Sequence, residues 1–341
     1  MDEKRKKRLL WQLPFLALLI IGTVLIIRQQ RSMPYQKNSG SIFGTFYNVT
    51  YQCNEDLQEE IEAEMKKVDA EFSMFNDTST VAKINRGEHP VLSDMFCQVF
   101  RLAEHVSQVT DGAFDITVAP LVNAWGFGFK NEQMPDKRQV DSLRQYIGYQ
   151  HLALKGKQLV CKKRGVMLDF SAVAKGYGVD AVSRFLERRG VTNFMVEIGG
   201  EVTTKGINPQ RVPWKIGVIK PSDDPLAGSH ELQTALNVTD KSMATSGNYR
   251  NFYIKGGKKY AHTIDPRTGY PVQHSLLSAT VLADDCATAD AYATSFMVMG
   301  LDGAKRLLQQ EKQLMAYLIY SDSQGKLAVW YSPSLEDKIA K

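Results

Sequence analysis

Cysteine is scarce and scattered: Cys53, Cys97, Cys161 and Cys286 are the only four in 341 residues, and no two are close in sequence. That spacing excludes both a zinc signature and a disulfide framework, so each reads as a small buried hydrophobe. Internal repeats and low-complexity tracts are missing too. With 43% apolar residues the chain is not disordered, and its length suits one large domain or two moderate ones. An excess of charge of one sign is absent from most of the chain. The formal net charge is +5, but Lys4, Arg5, Lys6, Lys7, Arg8, Arg28 and Arg31 are seven of the 42 basic residues, and Asp2 and Glu3 two of the 37 acidic ones, leaving 35 of each sign over residues 32–341. No electrostatic case for nucleic-acid binding remains.

Long apolar runs are limited to one. Leu9 to Ile27 is broken only by Gln12 and Pro14, and 19 residues at about 1.5 Å each cross most of a hydrocarbon core. Five basic residues precede the run and few follow, which predicts a cytoplasmic N-terminus with the rest exported. The sequence after it, Arg28-Gln29-Gln30-Arg31, lacks the small-residue pattern of a cleavage site, which favours an uncleaved anchor.

Beyond a polar tether over residues 32–41, Ile42 to Tyr51 alternates as a strand. Leu57, Ile61, Met65, Val68 and Phe72 recur at helical spacing, and a second helix is predicted from Asp94 to Val109, closed by Asp111-Gly112. A hairpin is expected over residues 150–161. Phe194 to Ile198, a Gly199-Gly200 break and Glu201 to Lys205 read as paired strands, and Trp214 to Ile219, Leu232 to Val238 and Ser242 to Ser246 as extensions of the same sheet.

Chemistry concentrates where polar residues interrupt apolar runs. Leu168 to Asp180 reads as a short buried strand running into a helix, with Ser171 as its N-cap and Gly190 as its stop. Such a helix start presents unpaired N–H groups that suit a phosphate. Gly176 and Gly178 each cost roughly 1 kcal/mol in a helix, so they imply a close approach by backbone or ligand. Asp115, in Gly112 to Leu121, is a carboxylate in a run that wants burial, so it needs a partner. Trp125-Gly126-Phe127-Gly128 either walls a flat ring or fills a corner. His262 stands at a predicted strand end before the Asp265-Pro266 and Thr268-Gly269 turns. Asp284 and Asp285 open a helix that turns apolar until Gly300. Asp290 and Thr294, four apart among alanines, share one face and make a hard-oxygen corner for Mg²⁺. No neighbour in that segment neutralises Asp290. Thr245-Ser246-Gly247 reads as a turn more than as a nucleophile, because no base is placed beside it.

Six of these motifs, taken in order, resemble the FAD:protein FMN transferase (ApbE) family: Gly112 to Val118 with Trp125-Gly126-Phe127, Asp169 to Gly178, Glu197 to Glu201, Thr245 to Tyr249, His262 to Gly269, and Asp290 to Thr294. The resemblance spans about residues 42–330. It implies an α+β, T-fold-like domain over residues 42–335 behind the tether, while the apolar run and its flanking charge make residues 1–31 the expected cytoplasmic tip and transmembrane anchor. It also implies Mg²⁺-dependent transfer of FMN from FAD to a Thr or Ser of an exported acceptor protein, such as a subunit of a membrane redox complex, with release of AMP. Carried over by motif, Phe43, Phe75, Ala113, Phe114, Asp115, Asp169, Lys175 and Ile264 would contact FAD. Ala172 by its carbonyl, Asp290, Ala293 by its backbone and Thr294 would hold the metal. His262 is the best-matched general base. Relatives often carry Met at the position of Phe43 and Tyr at that of Phe75, and many are lipoproteins with an early cysteine that is absent before Cys53. The expected place is the periplasmic side of a bacterial inner membrane. Rival readings are an FAD pyrophosphatase of the same fold and an anchored flavin-binding protein without chemistry.

Overall fold

The computed structural model describes residues 12–24, 33–128, 134–221, 231–248, 252–255 and 258–340. Helix α1 (residues 12–24) exposes its apolar side chains, Phe15 at 66% and Leu18 at 69% among them. Among the described residues no helix is long and apolar enough to cross a membrane. The rest of Leu9 to Ile27 lies outside them.

Strand β1 (Tyr35–Ile42) and β2 (Thr45–Gln52) form an antiparallel hairpin turned at Phe43 and Gly44. Most of the expected tether is therefore an edge strand. Its sequence, YQKNSGSI, hides this because the ladder to β2 holds it through backbone bonds rather than through an apolar face. Helices α2 (Gln58–Phe72), α3 (Thr80–Asn85) and α4 (Asp94–Val109) follow, then α5 (Ala119–Ala124), α6 (Lys137–Arg144) and the small hairpin β3 (Leu152–Lys155) and β4 (Gln158–Cys161). The central helix α7 (Ser171–Arg188) leads into β5 (Phe194–Ile198) and β6 (Glu201–Lys205), joined through left-handed Gly199 and Gly200. After β7 (Lys215–Ile219), β8 (Leu232–Asn237), β9 (Lys241–Gly247), β10 (Phe252–Lys255), β11 (Lys258–Ala261) and β12 (Leu276–Ala283) comes α8 (Cys286–Gln310), broken at Gly300, whose φ of 71° and ψ of 179° leave the helical region. Strands β13 (Met315–Ser321) and β14 (Leu327–Tyr331) follow.

Eight strands make one antiparallel sheet in the order β1-β2-β5-β6-β9-β12-β13-β14. Helices α2, α7 and α8 cover one face, an α+β arrangement. At the β2–β5 end the alternation is plain: Tyr47, Val49 and Tyr51 pack with Phe194, Val196 and Ile198 against α2 and α7, while Phe46 and Asn48 point to solvent. At the centre both faces are covered. Ala279, Val281 and Ala283 of β12 meet the helices, and Leu282 meets Val218 and Leu236 of the β7–β8 hairpin. Among the described residues that hairpin joins no strand of the large sheet, its further backbone contact being a bridge from Leu236 to Ile339 near the C-terminus, so it forms a second layer rather than an extension of the sheet. Its apolar side chains are buried by packing across a sheet face, and a strand pattern does not distinguish that from pairing along an edge.

Candidate functional site

The start of α7 is fixed from several sides. Phe170, buried beside Phe72 and Phe96 with ring centroids 5.1 and 5.4 Å away, anchors it in the core; each such pair adds about 0.5–1.5 kcal/mol beyond area burial. The expected strand before it is absent. Instead the Asn85 side chain pairs with Leu168 like a strand partner, accepting its N–H at 2.7 Å and donating to its carbonyl at 3.0 Å, and the Asp169 N–H donates to the Ile116 carbonyl at 2.7 Å. Ser171 is not the N-cap but the first helical residue. Asp169 Oδ1 accepts its N–H at 2.8 Å and its hydroxyl proton, so the helix start is turned by a carboxylate rather than by a hydroxyl.

The two glycines of α7 make room for protein. A Cβ on Gly176 would lie 2.4 Å from the Cys286 carbonyl oxygen and 2.9 Å from Ala287 Cα, and one on Gly178 would lie 2.7 Å from Phe43 Cε2. Helix α8 therefore begins directly against α7, and the Phe43 ring lies on Gly178. Asp180 secures the crossing: its two oxygens accept the Cys286 and Ala287 N–H groups at 2.8 and 2.9 Å. Burial, then the neighbouring Asp285 charge, push its carboxyl up to about 7, against the pull of those two N–H donors. Asp285 is the N-cap of α8, as its place suggested, accepting from Thr288, whereas Asp284 pairs with Lys241.

One turn into α8, Asp290 is not left alone. Lys175 Nζ lies 3.8 Å from Asp290 Oδ2 and 3.1 Å from Glu201 Oε1, and the Gly176 N–H donates to the same Asp290 oxygen at 3.1 Å. The neutralising partner that α8 lacks comes from α7, a long-range pairing that the α8 segment alone could not reveal. Burial works against the Lys175 charge, but the facing Asp290 and Glu201 carboxylates more than offset it and hold its pKa above the ordinary lysine value. Glu201, at the start of β6, is buried, with Oε2 unpartnered among the described residues, and burial raises its carboxyl to about 7 despite Lys175. Glu201 closes the Glu197–Glu201 motif, and an acid directly after Gly-Gly on a largely buried strand is the signal in the sequence that points to it.

The donors suit a hard cation. Asp290 Oδ1 accepts no hydrogen bond among the described residues. A regular helix aims the Gly176 N–H at the Ala172 carbonyl, which brings that oxygen beside the Asp290 carboxylate. Thr294 Oγ1 lies 3.1 Å from Ser246 Oγ. Ala293 is buried in α8, between Asp290 and Thr294 in sequence. Among the described residues no group of three or more His, Cys, Asp and Glu gathers at one point; one carboxylate with hydroxyl and carbonyl oxygens would suit Mg²⁺ rather than zinc. Ser246, set aside as a nucleophile, is thus a partner of Thr294.

The expected FAD contacts divide. Asp169, Lys175 and Phe43 lie on or beside α7. Ala113 and Phe114 are buried, and Phe75 is 74% exposed on the loop after α2. The Asp115 carboxylate is engaged by protein, accepting the Thr117 N–H and hydroxyl at 2.8 and 2.6 Å and the Tyr149 N–H at 2.8 Å. Its partners are therefore two backbone N–H groups and the Thr117 hydroxyl, and burial still holds its carboxyl above the usual range. Ile264 packs with Leu121, Trp125 and Val140, and Trp125 Nε1 donates to the Gly269 carbonyl at 2.8 Å. Trp125 thus fills a corner, while Phe127 stands edge-on to His262, centroids 6.4 Å apart. Tyr249 lies outside the described residues.

The sequence profile of the ApbE family matches residues 43–319. The chain belongs to this family, the FAD:protein FMN transferases. It is 37% identical over 273 residues to the FAD:protein FMN transferase of Vibrio cholerae, covering 77% of this chain and 80% of that one. The Haemophilus influenzae protein of the same name is 37% identical over 304 residues, 84% of this chain and 87% of its own. In three dimensions the fold is similar to the flavin transferase ApbE from Vibrio cholerae, with a TM-score of 0.81, 33% identity and coverage of 90% of this chain and 99% of that one.

Proposed function

We propose that the chain moves the FMN half of FAD, through a phosphoester, onto a threonine or serine of an exported acceptor protein, a subunit of a membrane redox complex, in a Mg²⁺-dependent reaction that releases AMP. The observation that carries this reading is the convergence of the Lys175 ammonium and the Asp290 carboxylate at the α7–α8 crossing, one turn beyond the start of α7. The acceptor hydroxyl oxygen would bond to the flavin-side phosphorus as the phosphorus–oxygen bond to the adenylate breaks, AMP leaving with the electron pair. The hydroxyl proton would pass to a base, for which His262 is the candidate. Asp290, Thr294 and the carbonyls of Ala172 and Ala293 would hold Mg²⁺, whose contribution is to neutralise charge at the diphosphate. Lys175 adds a positive charge, and Phe43 and the exposed Phe75 offer apolar surface for the flavin and adenine rings. The apolar, exposed side chains of α1 support residues 9–27 as a single-pass anchor, with the catalytic domain on the periplasmic side of the inner membrane.

The test is to incubate the protein with FAD, Mg²⁺ and a threonine-bearing acceptor, then weigh the acceptor and assay AMP. Flavin on the acceptor with an equal amount of AMP is expected. Asp290→Asn should lower transfer roughly 10²-fold, about 3 kcal/mol of transition-state stabilisation. A full rate in that variant or in EDTA would remove the metal from the mechanism. FMN and AMP released beside an unmodified acceptor would make the protein a pyrophosphatase.

A further inference from the structure

Lys175 occupies a place where a bound cation would repel it. Its ammonium lies 3.8 Å from Asp290 Oδ2 and 3.1 Å from Glu201 Oε1, and the two carboxylate residues are 2% and 4% exposed. The Lys175 side chain is itself only partly exposed, and charges at such distances, with the carboxylates shielded from bulk water, act on one another more strongly than in solution. With both carboxylates ionised the trio carries one net negative charge. A divalent cation alone would turn that into one net positive charge, with Lys175 pressed against the newcomer. A diphosphate alone would raise it to three negative charges. Cation and diphosphate together restore the original balance, with the diphosphate as the new partner of the ammonium.

The geometry points to a coupled site in which Lys175 is the resident counter-ion of Asp290, so that a divalent cation and FAD bind with positive coupling as the diphosphate draws the ammonium away. This inference rests on Asp290 being the metal ligand. Glu201 holds the ammonium between the two positions: its Oε1 is the nearer carboxylate oxygen, and its buried Oε2 has no hydrogen-bond partner among the described residues. Linkage requires that the cation tighten FAD by the same factor by which FAD tightens the cation.

The experiment is Mn²⁺ binding to the full chain, read from the electron-spin-resonance signal of the free ion, with and without FAD and without acceptor. Lys175→Met removes the competitor, so FAD-free Mn²⁺ affinity should rise about tenfold or more and the gain on adding FAD should shrink. Glu201→Gln leaves Lys175 to Asp290 alone and removes one negative charge, so FAD-free Mn²⁺ affinity should fall. Lys175→Met binding no tighter than wild type, or Glu201→Gln binding no weaker, overturns the counter-ion role. If Lys175→Met fails to fold, as judged by its thermal melt, the sign of the Glu201→Gln effect decides alone. Asp290→Asn separates the two levels. If it leaves Mn²⁺ binding intact, the metal site itself is misassigned. If it abolishes binding while Lys175→Met shows no gain, the metal site stands and the counter-ion falls.

Discussion

Gly176→Ala sets two physical effects against each other at a single atom. Helix propensity alone favours alanine by about 1 kcal/mol, and Gly176 sits inside α7 where that gain would apply. The added Cβ, however, would lie 2.4 Å from the Cys286 carbonyl oxygen, 2.7 Å from its carbon and 2.9 Å from Ala287 Cα. All three are backbone atoms, so no side chain can rotate aside, and α7 and α8 must part. Overpacking of this kind costs about 1–3 kcal/mol or more. Parting the helices also stretches the bonds from Cys286 and Ala287 to Asp180, for about 1–2 kcal/mol further. The net expectation is a loss of about 1–4 kcal/mol, which at roughly 2 °C per kcal/mol for a domain of this size lowers the melting temperature by about 2–8 °C. Gly178→Ala is the control. Its Cβ meets the ends of the Phe43 and Ile198 side chains at 2.7 and 3.4 Å, which can shift, so its loss should be about 1 kcal/mol or less. Differential scanning fluorimetry and urea melts of both variants decide the matter. A Gly176→Ala protein as stable as wild type, or more so, would show that the crossing is looser than described and that propensity governs the position.

Three further outcomes are expected. Because the Asp180 carboxyl is pushed from 3.8 up to about 7 on folding, its contribution to stability is full below about pH 4 and is lost as pH rises through about 7; the melting-temperature advantage of wild type over Asp180→Asn should shrink from pH 4 to pH 8, and an advantage that grows with pH would mean that the N–H donors outweigh burial. Asp115→Asn puts an NH₂ group among N–H donors, so it should cost about 1–3 kcal/mol in urea unfolding, and a stability equal to wild type with FAD affinity lost would return Asp115 to ligand contact. Removing residues 1–31 should release a soluble domain that still binds FAD, and protease outside intact spheroplasts should digest the full chain's domain; protection from that protease would reverse the topology.

What was legible in the sequence was what periodicity and local chemistry determine. The α4 bounds, the buried stripe Ile61, Met65, Val68 and Phe72 of α2, the β3–β4 hairpin and the break between β5 and β6 all follow from spacing. What was not legible depended on a partner far along the chain. Strand β1 has no apolar face and exists because β2 pairs with it. The Leu168 segment looked like a strand because it is apolar and extended, but the side chain that satisfies its backbone is 83 residues away in sequence. The odd glycines correctly signalled a close approach, and only the structure shows that the approaching atoms belong to α8 and Phe43.

The same distinction explains why two buried acids at one helix crossing have different fates. Asp180 and Asp290 both interrupt small or apolar helical runs, and nothing in their local sequence tells them apart. Asp180 is satisfied on both oxygens by backbone N–H groups of α8. Those donors cannot leave without moving the helix, so the carboxylate is committed to holding α7 and α8 together. Asp290 has one fixed N–H, on Oδ2, and an ammonium at the end of a flexible chain. That ammonium can be exchanged for another cation without moving any backbone, because Glu201 stands ready to keep it. An acid held by fixed donors is a fastener, whereas an acid held by a mobile charge beside a second acceptor is able to exchange its partner. The fold supplies the first so that the second stays in register.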